Sequence, residues 1–211
     1  NTHFRIRGTD ATRINVTLNG MPLNNPETQE VFWVNLPDLS NSLQNIQIQR
    51  GVGTSTNGSA AFGASISLQT RGASSEAYGE ASTAVGSYGT FLSNIAMGTG
   101  ILNNGLSLDA RFSRVLGEGY IKNGSVNHTN FYAALSHYTD KQLIRLSYLK
   151  GIQHTGITWE GISPEQMEEF GRRYNPAGVY YDDAGNKLIY DNETDNYYSD
   201  ILQLTLTREL T

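Results

Sequence analysis

The sequence contains no cysteine, which excludes disulfide bonds and thiolate metal sites. Proline is scarce, at 5 residues, whereas glycine reaches 22 and tyrosine 12, a balance that favours strands and turns over helices. The chain also lacks any apolar run near the roughly 18–20 residues that a membrane-spanning helix needs. This last absence does not separate a water-soluble domain from a transmembrane β-barrel, because barrel strands alternate lipid-facing with lumen-facing residues.

Clusters of lysine and arginine are missing too, and the net charge of −5 argues against a nucleic-acid partner. Acidic side chains, in contrast, are concentrated in residues 153–200, which carry 10 of them and only 3 basic ones. No arrangement of Ser, His and Asp or of paired carboxylates stands out, and the four histidines lack metal-ligand spacing. The sequence therefore predicts neither an enzyme nor a metal or cofactor site.

Residues 1–72 mix short strands with loops rich in glycine and asparagine, and are predicted to form a small α/β module. Alternation of apolar and polar residues in Ile14–Leu18 and Ile46–Gln49 predicts half-buried strands. Asn19-Gly20 indicates a tight turn. Two further strands are predicted over Phe4–Arg7 and Ala64–Thr70, and a short helical turn over Pro37–Leu43.

From Glu76 onward the pattern predicts six long strands, each close to the 9–11 residues that cross a bilayer when tilted. In the sixth, Leu202, Leu204 and Leu206 alternate with polar neighbours, and the third and fifth strands also have one apolar and one polar face. The sequence of the fourth does not assign its faces. The predicted ranges are 76–86, 89–101, 106–116, 129–139, 142–152 and 200–209.

The connections between these strands differ in length according to their order. The second and fourth are tight turns, whereas the third has about a dozen residues and the fifth, Gln153–Ser199, has 47. The first, at Ser87-Tyr88, is short and breaks the alternation. Short turns at one end and long loops at the other are typical of outer-membrane barrels. Within the fifth connection, Ser163-Pro164-Glu165-Gln166 predicts the capped start of a helix that ends at Tyr174, and a hairpin is predicted to turn at Asp183–Asn186.

The first seventy residues carry a series of motifs in a fixed order. This series closely resembles the second half of the plug domain of TonB-dependent outer-membrane receptors, and its variants are most similar to siderophore and iron-dicitrate receptors of Bacteroidetes-type bacteria. Residues 76–211 resemble these receptors only in having the general pattern of barrel strands. The motifs are Ile6-Arg7-Gly8, Ile14–Leu23, Ile46–Gly51, Thr54–Gly58 and Gly63–Thr70.

The resemblance implies a mostly β fold, with the C-terminal part of an α/β plug domain over 1–72. The first six or so antiparallel strands of a 22-stranded transmembrane barrel would follow over 73–211, with 153–199 as a long extracellular loop. It further implies residence in the bacterial outer membrane, in contact with lipid and lipopolysaccharide. The implied activity is active import of a scarce nutrient such as an iron–siderophore, driven by the TonB–ExbB–ExbD complex through a TonB box upstream of Asn1. The strand patterns are already in progress at Phe4 and still running at Leu210, so both ends are interpreted as cuts in a longer protein.

The resemblance also assigns roles to individual residues. Arg7 and Arg50 match two plug arginines that pair with barrel glutamates and lock the plug in place; the alternative is that they are ordinary strand-end arginines. Two plug loops are expected to contact the ligand, through Asp10, Arg13, Asn24, Asn25, Glu27, Phe32 and Trp33. The long loop is expected to contribute Trp159, Arg172, Arg173, Tyr174, Tyr180 and Tyr181. For Phe32 and Trp33 the alternative is packing in the plug core, and for the tyrosines a place in the aromatic girdle at the membrane surface.

Two other functions fit parts of the sequence. One is import of glycans or peptides together with a surface lipoprotein, and it differs from the first only in ligand and partner. The other, from a different class, is a soluble β-sandwich that serves in binding or adhesion. It predicts that the apolar strand faces meet each other in a closed two-layer core.

Overall fold

The computed structural model describes residues 4–51 and 62–209. Contacts divide the chain into two compact units, Asn1–Ala73 and Ser74–Thr211. The motif Thr54–Gly58 lies outside the described residues. Among the described residues, no helix has the length and hydrophobicity of one that crosses a membrane.

The first unit is built on a four-stranded sheet with the order β2-β1-β4-β3. Its strands are β1 (Ile14–Leu18), β2 (Met21–Pro22), β3 (Leu43–Arg50) and β4 (Ala64–Thr70). β1 and β4 run parallel, while β2 and β3 are antiparallel to their neighbours. Short 3₁₀ turns occupy Ala11–Arg13, Trp33–Asn35 and Leu39–Ser42, and the last of these confirms the predicted helical turn.

The tight turn at Asn19-Gly20 is confirmed. Both residues have positive φ, 52° and 82°, as a two-residue hairpin turn between β1 and β2 requires. The Asn19 side chain also accepts hydrogen bonds from the backbone N–H and the hydroxyl of Thr70. The turn therefore fixes the end of β4 as well as the β1–β2 hairpin.

Three predictions for this unit are wrong. β3 is exposed from Gln44 to Arg50 rather than half-buried. Phe4–Arg7 is not a strand: Ile6 forms only an isolated bridge with Thr9, because Arg7 and Gly8 adopt positive φ and reverse the chain. β1 is buried along its whole length instead of on one face. β1 lies between β2 and β4 in the sheet, and inner strands of a covered sheet are buried on both faces.

The second unit is a six-stranded antiparallel sheet with the order β12-β9-β8-β7-β6-β5, and it is not closed within the described residues. All six predicted strands are confirmed, with shifted ends. They are β5 (Tyr78–Val85), β6 (Phe91–Gly98), β7 (Leu106–Gly117), β8 (Val126–Tyr138), β9 (Gln142–Gly156) and β12 (Thr194–Arg208).

The fifth connection is shorter than predicted, at residues 157–193, because β9 and β12 continue pairing up to Gly156 and Thr194. It contains the helix α1 (Pro164–Phe170) and the hairpin β10 (Val179–Tyr181) and β11 (Lys187–Ile189). The predicted capping box is confirmed, since the side chains of Ser163 and Gln166 bond reciprocally to each other's backbone N–H. The helix ends at Phe170 rather than Tyr174, because Gly171 follows with φ 84°.

Candidate functional site

The two faces of the six-stranded sheet have the reverse of the polarity found in soluble proteins. On β12, Leu202, Leu204 and Leu206 are 69%, 66% and 64% exposed, whereas Gln203 between them is 6% exposed. The strand register places these leucines on the same face as the exposed apolar residues of the other strands. That set includes Ile144, Leu146, Leu135, Phe131, Leu108, Phe112, Ile95 and Met97. The sheet thus presents one continuous apolar face, and the two-layer core that a soluble sandwich requires is absent from the described residues of this unit.

The opposite face is polar and largely buried. Arg111 donates to the side-chain oxygens of Asn94 and Asn130, at 2.5 and 3.3 Å, and so joins three neighbouring strands. Asp109 accepts from the hydroxyls of Tyr78 and Ser107. Buried polar groups are costly unless hydrogen-bonded, and these bonds satisfy that requirement for Arg111 and Asp109. The fourth strand, β8, whose faces the sequence leaves unassigned, places Asn130 and Ser136 on this polar face.

The apolar face has a polar border at one end. On β9 the apolar residues Ile144, Leu146 and Tyr148 are followed on the same face by Lys150, which forms an ion pair with Asp200 of β12 at 3.1 Å. Toward the long connection the face becomes polar: the His154 ring is hydrogen-bonded to Asn196 and lies edge-on to Tyr198. An aromatic and polar border of this kind is typical of a membrane–water interface.

The first, third and fifth connections (86–90, 118–125 and 157–193) lie at this same end of the sheet, because each strand pairs with the next. We call them the loop platform. The backbone N–H of Glu118 donates to the carbonyl of Tyr88, which joins the first connection to the third. The N–H of Lys122 donates to the carbonyl of Arg173, which joins the third to the fifth. The long connection is therefore folded onto its neighbours.

Side chains strengthen these junctions. The Arg173 guanidinium lies 5.3 Å from the ring centre of Tyr88 and 6.0 Å from that of Tyr120, and its Nε donates to the Tyr120 carbonyl. Within the long connection, the Lys187 ammonium lies over the rings of Phe170 and Tyr174, at 4.0 and 4.3 Å, and donates to the Tyr174 hydroxyl. Helix α1 and the β10–β11 hairpin are thereby held together.

Two acidic groups of the long connection are stabilised in their charged forms. The Ser163 side chain and the free N–H of Glu165 itself, at the helix start, lower the pKa of the Glu165 carboxyl. The Asn186 side chain, followed by backbone N–H groups of the hairpin turn, lowers the pKa of Asp182. Asp182 therefore acts as the hydrogen-bond acceptor of the turn, which agrees with the hairpin turn predicted at Asp183–Asn186.

The structure places the predicted ligand residues of the long connection in different settings. Tyr174 is engaged with Phe170 and Lys187, and Tyr180 is stacked on Tyr190 with ring centres 4.3 Å apart. Arg173 is engaged with Tyr88 and Tyr120. Trp159, Arg172 and Tyr181 are exposed, with Trp159 at 60% and Tyr181 at 63%.

In the first unit, the predicted ligand residues Phe32 and Trp33 are half-buried. The Trp33 ring lies edge-on to Phe4, with ring centres 4.9 Å apart, at the wall of an apolar cavity of about 400 Å³. Ile46 and Ile48 of β3 line the same cavity. Trp33 is thus packed against Phe4, and its contact with a ligand stays a prediction. Arg7 and Arg50 are both exposed within the described residues, and their role in locking the plug stays a prediction.

The other residues of the two plug loops are held by local hydrogen bonds. Asp10 accepts from the Thr12 hydroxyl and lies 3.9 Å from Arg13, with both charged side chains more than half exposed. The Asn25 side-chain oxygen accepts from the N–H groups of Glu27 and Thr28. Both loops are thus held by their own hydrogen bonds, and their polar groups are accessible.

Asn24 has a role that the sequence did not indicate. Its amide accepts from the N–H of Val16 and donates to the carbonyls of Ile14 and Gln29, all at 2.7–2.9 Å. It continues the hydrogen bonding of β1 beyond the point where β2 ends.

We expect Asn24→Asp to destabilise the first unit by about 2 kcal/mol or more, because a carboxylate cannot donate to the two carbonyls. The change is measured as faster amide hydrogen exchange over residues 14–30 of the intact protein. Asn25→Asp is the matched control. Asn25 uses only its side-chain oxygen in its hydrogen bonds to Glu27 and Thr28, so this substitution should leave amide exchange unchanged. Equal effects of the two substitutions would contradict the role assigned to Asn24.

Comparison with known proteins agrees with this architecture. The family model described as "TonB-dependent Receptor Plug Domain" matches residues 1–65. These residues are the plug domain of a TonB-dependent receptor. No curated protein matches the chain by sequence.

Several solved structures share the fold of the receptor chain. They include FpvA of Pseudomonas aeruginosa bound to heterologous pyoverdines, at TM-score 0.72 and 12% identity, covering 99% of this chain and 27% of that one. The siderophore receptor PiuA from Acinetobacter baumannii gives TM-score 0.69 and 14% identity, covering 99% and 28%. The unliganded ferric citrate transporter FecA gives TM-score 0.67 and 14% identity, covering 93% and 28%. The chain thus spans about a quarter of the length of the structures it matches.

The plug domain and these structures support several predictions made from the sequence. The family whose model matches and these structural relatives are receptors and transporters of the outer membrane, not enzymes. The mostly β fold, with a plug followed by antiparallel barrel-type strands, is confirmed. No group of three or more His, Asp or Glu side chains within residues 4–51 and 62–209 is arranged to hold a metal ion.

Proposed function

We propose that the protein imports a scarce nutrient, an iron–siderophore or similar iron chelate, across the outer membrane. The observation that carries the proposal is that one chain contains both a match to the TonB-dependent plug domain and a sheet with an exposed apolar face and a buried polar face. Such a sheet is stable only where hydrocarbon covers its exposed face. The solved structures that share the fold include a siderophore receptor and a ferric citrate transporter, which supports the ligand class.

The exposed groups of the receptor suit such a ligand. Arg172 and Arg13 are accessible guanidinium groups, which favour carboxylate and other anionic oxygens of a chelate. Trp159 and Tyr181 offer exposed aromatic surface for stacking. Energy for import would come from the TonB–ExbB–ExbD complex through a TonB box, which completes the proposed mechanism.

Uptake of radioactive iron by cells tests the proposal. Cells with and without the gene are supplied with ⁵⁵Fe as ferric citrate, as a hydroxamate siderophore and as a catecholate siderophore. We expect gene-dependent uptake of at least one chelate, its loss when the proton-motive force is dissipated, and higher expression under iron starvation. If no chelate is taken up and growth on an oligosaccharide or peptide depends on the gene, the iron-chelate proposal is wrong. The ligand would then be a glycan or peptide, and a lipoprotein partner would be indicated.

A further inference from the structure

The long connection of the receptor is anchored at one point to both other members of the loop platform. Arg173 contacts the Tyr88 ring in the first connection and the Tyr120 ring in the third. Those two rings lie edge-on to each other, with centres 5.5 Å apart. Nε of Arg173 donates to the Tyr120 carbonyl at 2.7 Å, and the Arg173 carbonyl accepts from Lys122 at 2.9 Å. A single residue thus links all three connections.

A second anchor lies two residues further on. Asn175 is 5% exposed, and its Nδ2 donates to the carbonyls of Lys122 and Ile157, both at 2.9 Å. Its Oδ1 accepts from the N–H of Ala177. If the long connection lifted from the third, the buried Asn175 amide would lose its bond to the Lys122 carbonyl, which makes that movement costly.

The adjacent arginine, Arg172, makes none of these contacts. Arg172 is exposed, as Arg173 is, but within the described residues it has neither an aromatic ring nor a carboxylate as partner. Two of the three basic residues of 157–193 are therefore used inside the platform, Arg173 on two tyrosines and Lys187 on Phe170 and Tyr174. Arg172 is thus the exposed basic residue of this connection without such a contact, and its whole guanidinium group is open to an anionic ligand.

We propose that Arg173 is a positioning residue, which latches the 157–193 connection onto the other two before any ligand arrives, and that Arg172 is the contact residue beside it. This rests on the proposed function for the nature of the ligand, but the latch itself does not depend on it. The platform then presents Trp159 and Tyr181 in a fixed arrangement, so binding does not have to order a loop of 37 residues.

Spin labels measure the latch without a ligand. The chain has no cysteine, so Ser87→Cys and Glu165→Cys, both exposed, give one label on the first connection and one on helix α1. In the unliganded intact receptor in outer-membrane vesicles we expect a narrow distance distribution. Arg173→Gln should broaden it and raise amide exchange over 157–193 by about 10- to 100-fold, because two cation–π contacts and a charged hydrogen bond are lost.

Arg172→Gln is the matched control and should leave both readouts unchanged. Arg173→Lys should restore part of the order, since it keeps the cation over the rings and loses the Nε bond. Tyr88→Leu takes the place of Arg173→Gln where the first variant does not reach the membrane. Tyr88→Leu removes one of the two rings that Arg173 contacts, so it should also broaden the distance distribution between the labels. A broad distribution in the unliganded wild type, or unchanged exchange in both Arg173→Gln and Tyr88→Leu, would overturn the latch.

Binding of ferric citrate and the two siderophores to the same variants separates the latch from the proposed function. For a chelate that the wild type binds, we expect Arg172→Gln to weaken affinity at least tenfold with the platform still ordered. Arg173→Gln should slow association instead. Absence of binding to all three chelates would contradict the proposed function and leave the latch standing, whereas full binding by Arg172→Gln would overturn the contact role.

Discussion

Leu204→Arg is expected to destabilise the receptor by about 2–4 kcal/mol. Leu204 lies within the apolar face of β12 and is 66% exposed, so in the proposed setting its side chain meets hydrocarbon. An arginine there must be desolvated or must distort the lipid, and charged residues near the midplane of outer-membrane barrels cost about that much. Reversible unfolding of the intact protein in lipid vesicles, by urea or guanidinium, measures the difference.

Asn196→Arg provides the control for depth. Asn196 lies on the same strand and the same face as Leu204, but at the polar border beside His154. The cost there should fall to about 0–1 kcal/mol, because an interfacial arginine reaches water and headgroups. If Leu204→Arg were as harmless as Asn196→Arg, the apolar face would be a solvent face and the membrane placement would be wrong.

Gly156→Ala is expected to disrupt the loop platform at its base. Gly156 ends β9 at the start of the long connection, and its N–H donates to the Ser125 carbonyl. A Cβ at this position would lie 1.7 Å from the Asn123 carbonyl oxygen and 3.1 Å from the Ser125 nitrogen, both backbone atoms that cannot rotate away. We expect a cost of about 3 kcal/mol or more, because the third and fifth connections must separate. Faster amide exchange in 118–125 and 157–193 and a lower unfolding temperature measure it.

Gly161→Ala is the matched control within the same connection. Its Cβ would meet no heavy atom within 4 Å, and its backbone does not require positive φ. The substitution should therefore be neutral or slightly stabilising, since alanine restricts the unfolded chain. Comparable losses in both variants would mean that the close approach at Gly156 is not what holds the two connections together.

The sequence was most informative where one rule acts along a strand. The alternation of Leu202, Leu204 and Leu206 with polar neighbours defined two faces, because side chains in a strand point to opposite sides in turn. Two local features were also predictable, namely the reciprocal bonds of Ser163 and Gln166 and the turn at Asn19-Gly20. Both depend only on residues close in the chain. These features are specified within a few residues.

Features that depend on distant partners were not predictable from the sequence. The outer part of β9, Gln153–Gly156, is polar on both faces, so nothing in its pattern indicates a strand, and its pairing with Thr194–Tyr197 is what reveals it. Arg173 and Tyr88 are 85 positions apart, and their contact exists only because the connections meet at one end of the sheet. Asn24 likewise resembles an ordinary loop residue until β1 is placed beside it. For β9 the missing information was its pairing with a distant strand, for Arg173 it was which connections meet, and for Asn24 it was how its loop folds back on β1.

The central claim is that one face of the second unit meets lipid and the other does not. Single spin labels at successive positions from 198 to 207 of β12, in the receptor reconstituted into vesicles, test it most directly. Collision rates with apolar oxygen and with a water-soluble nickel complex should alternate with a period of two. Labels at 202, 204 and 206 should collide often with oxygen and rarely with nickel. Rapid collision with nickel at those three positions, or no alternation along the strand, would contradict the claim.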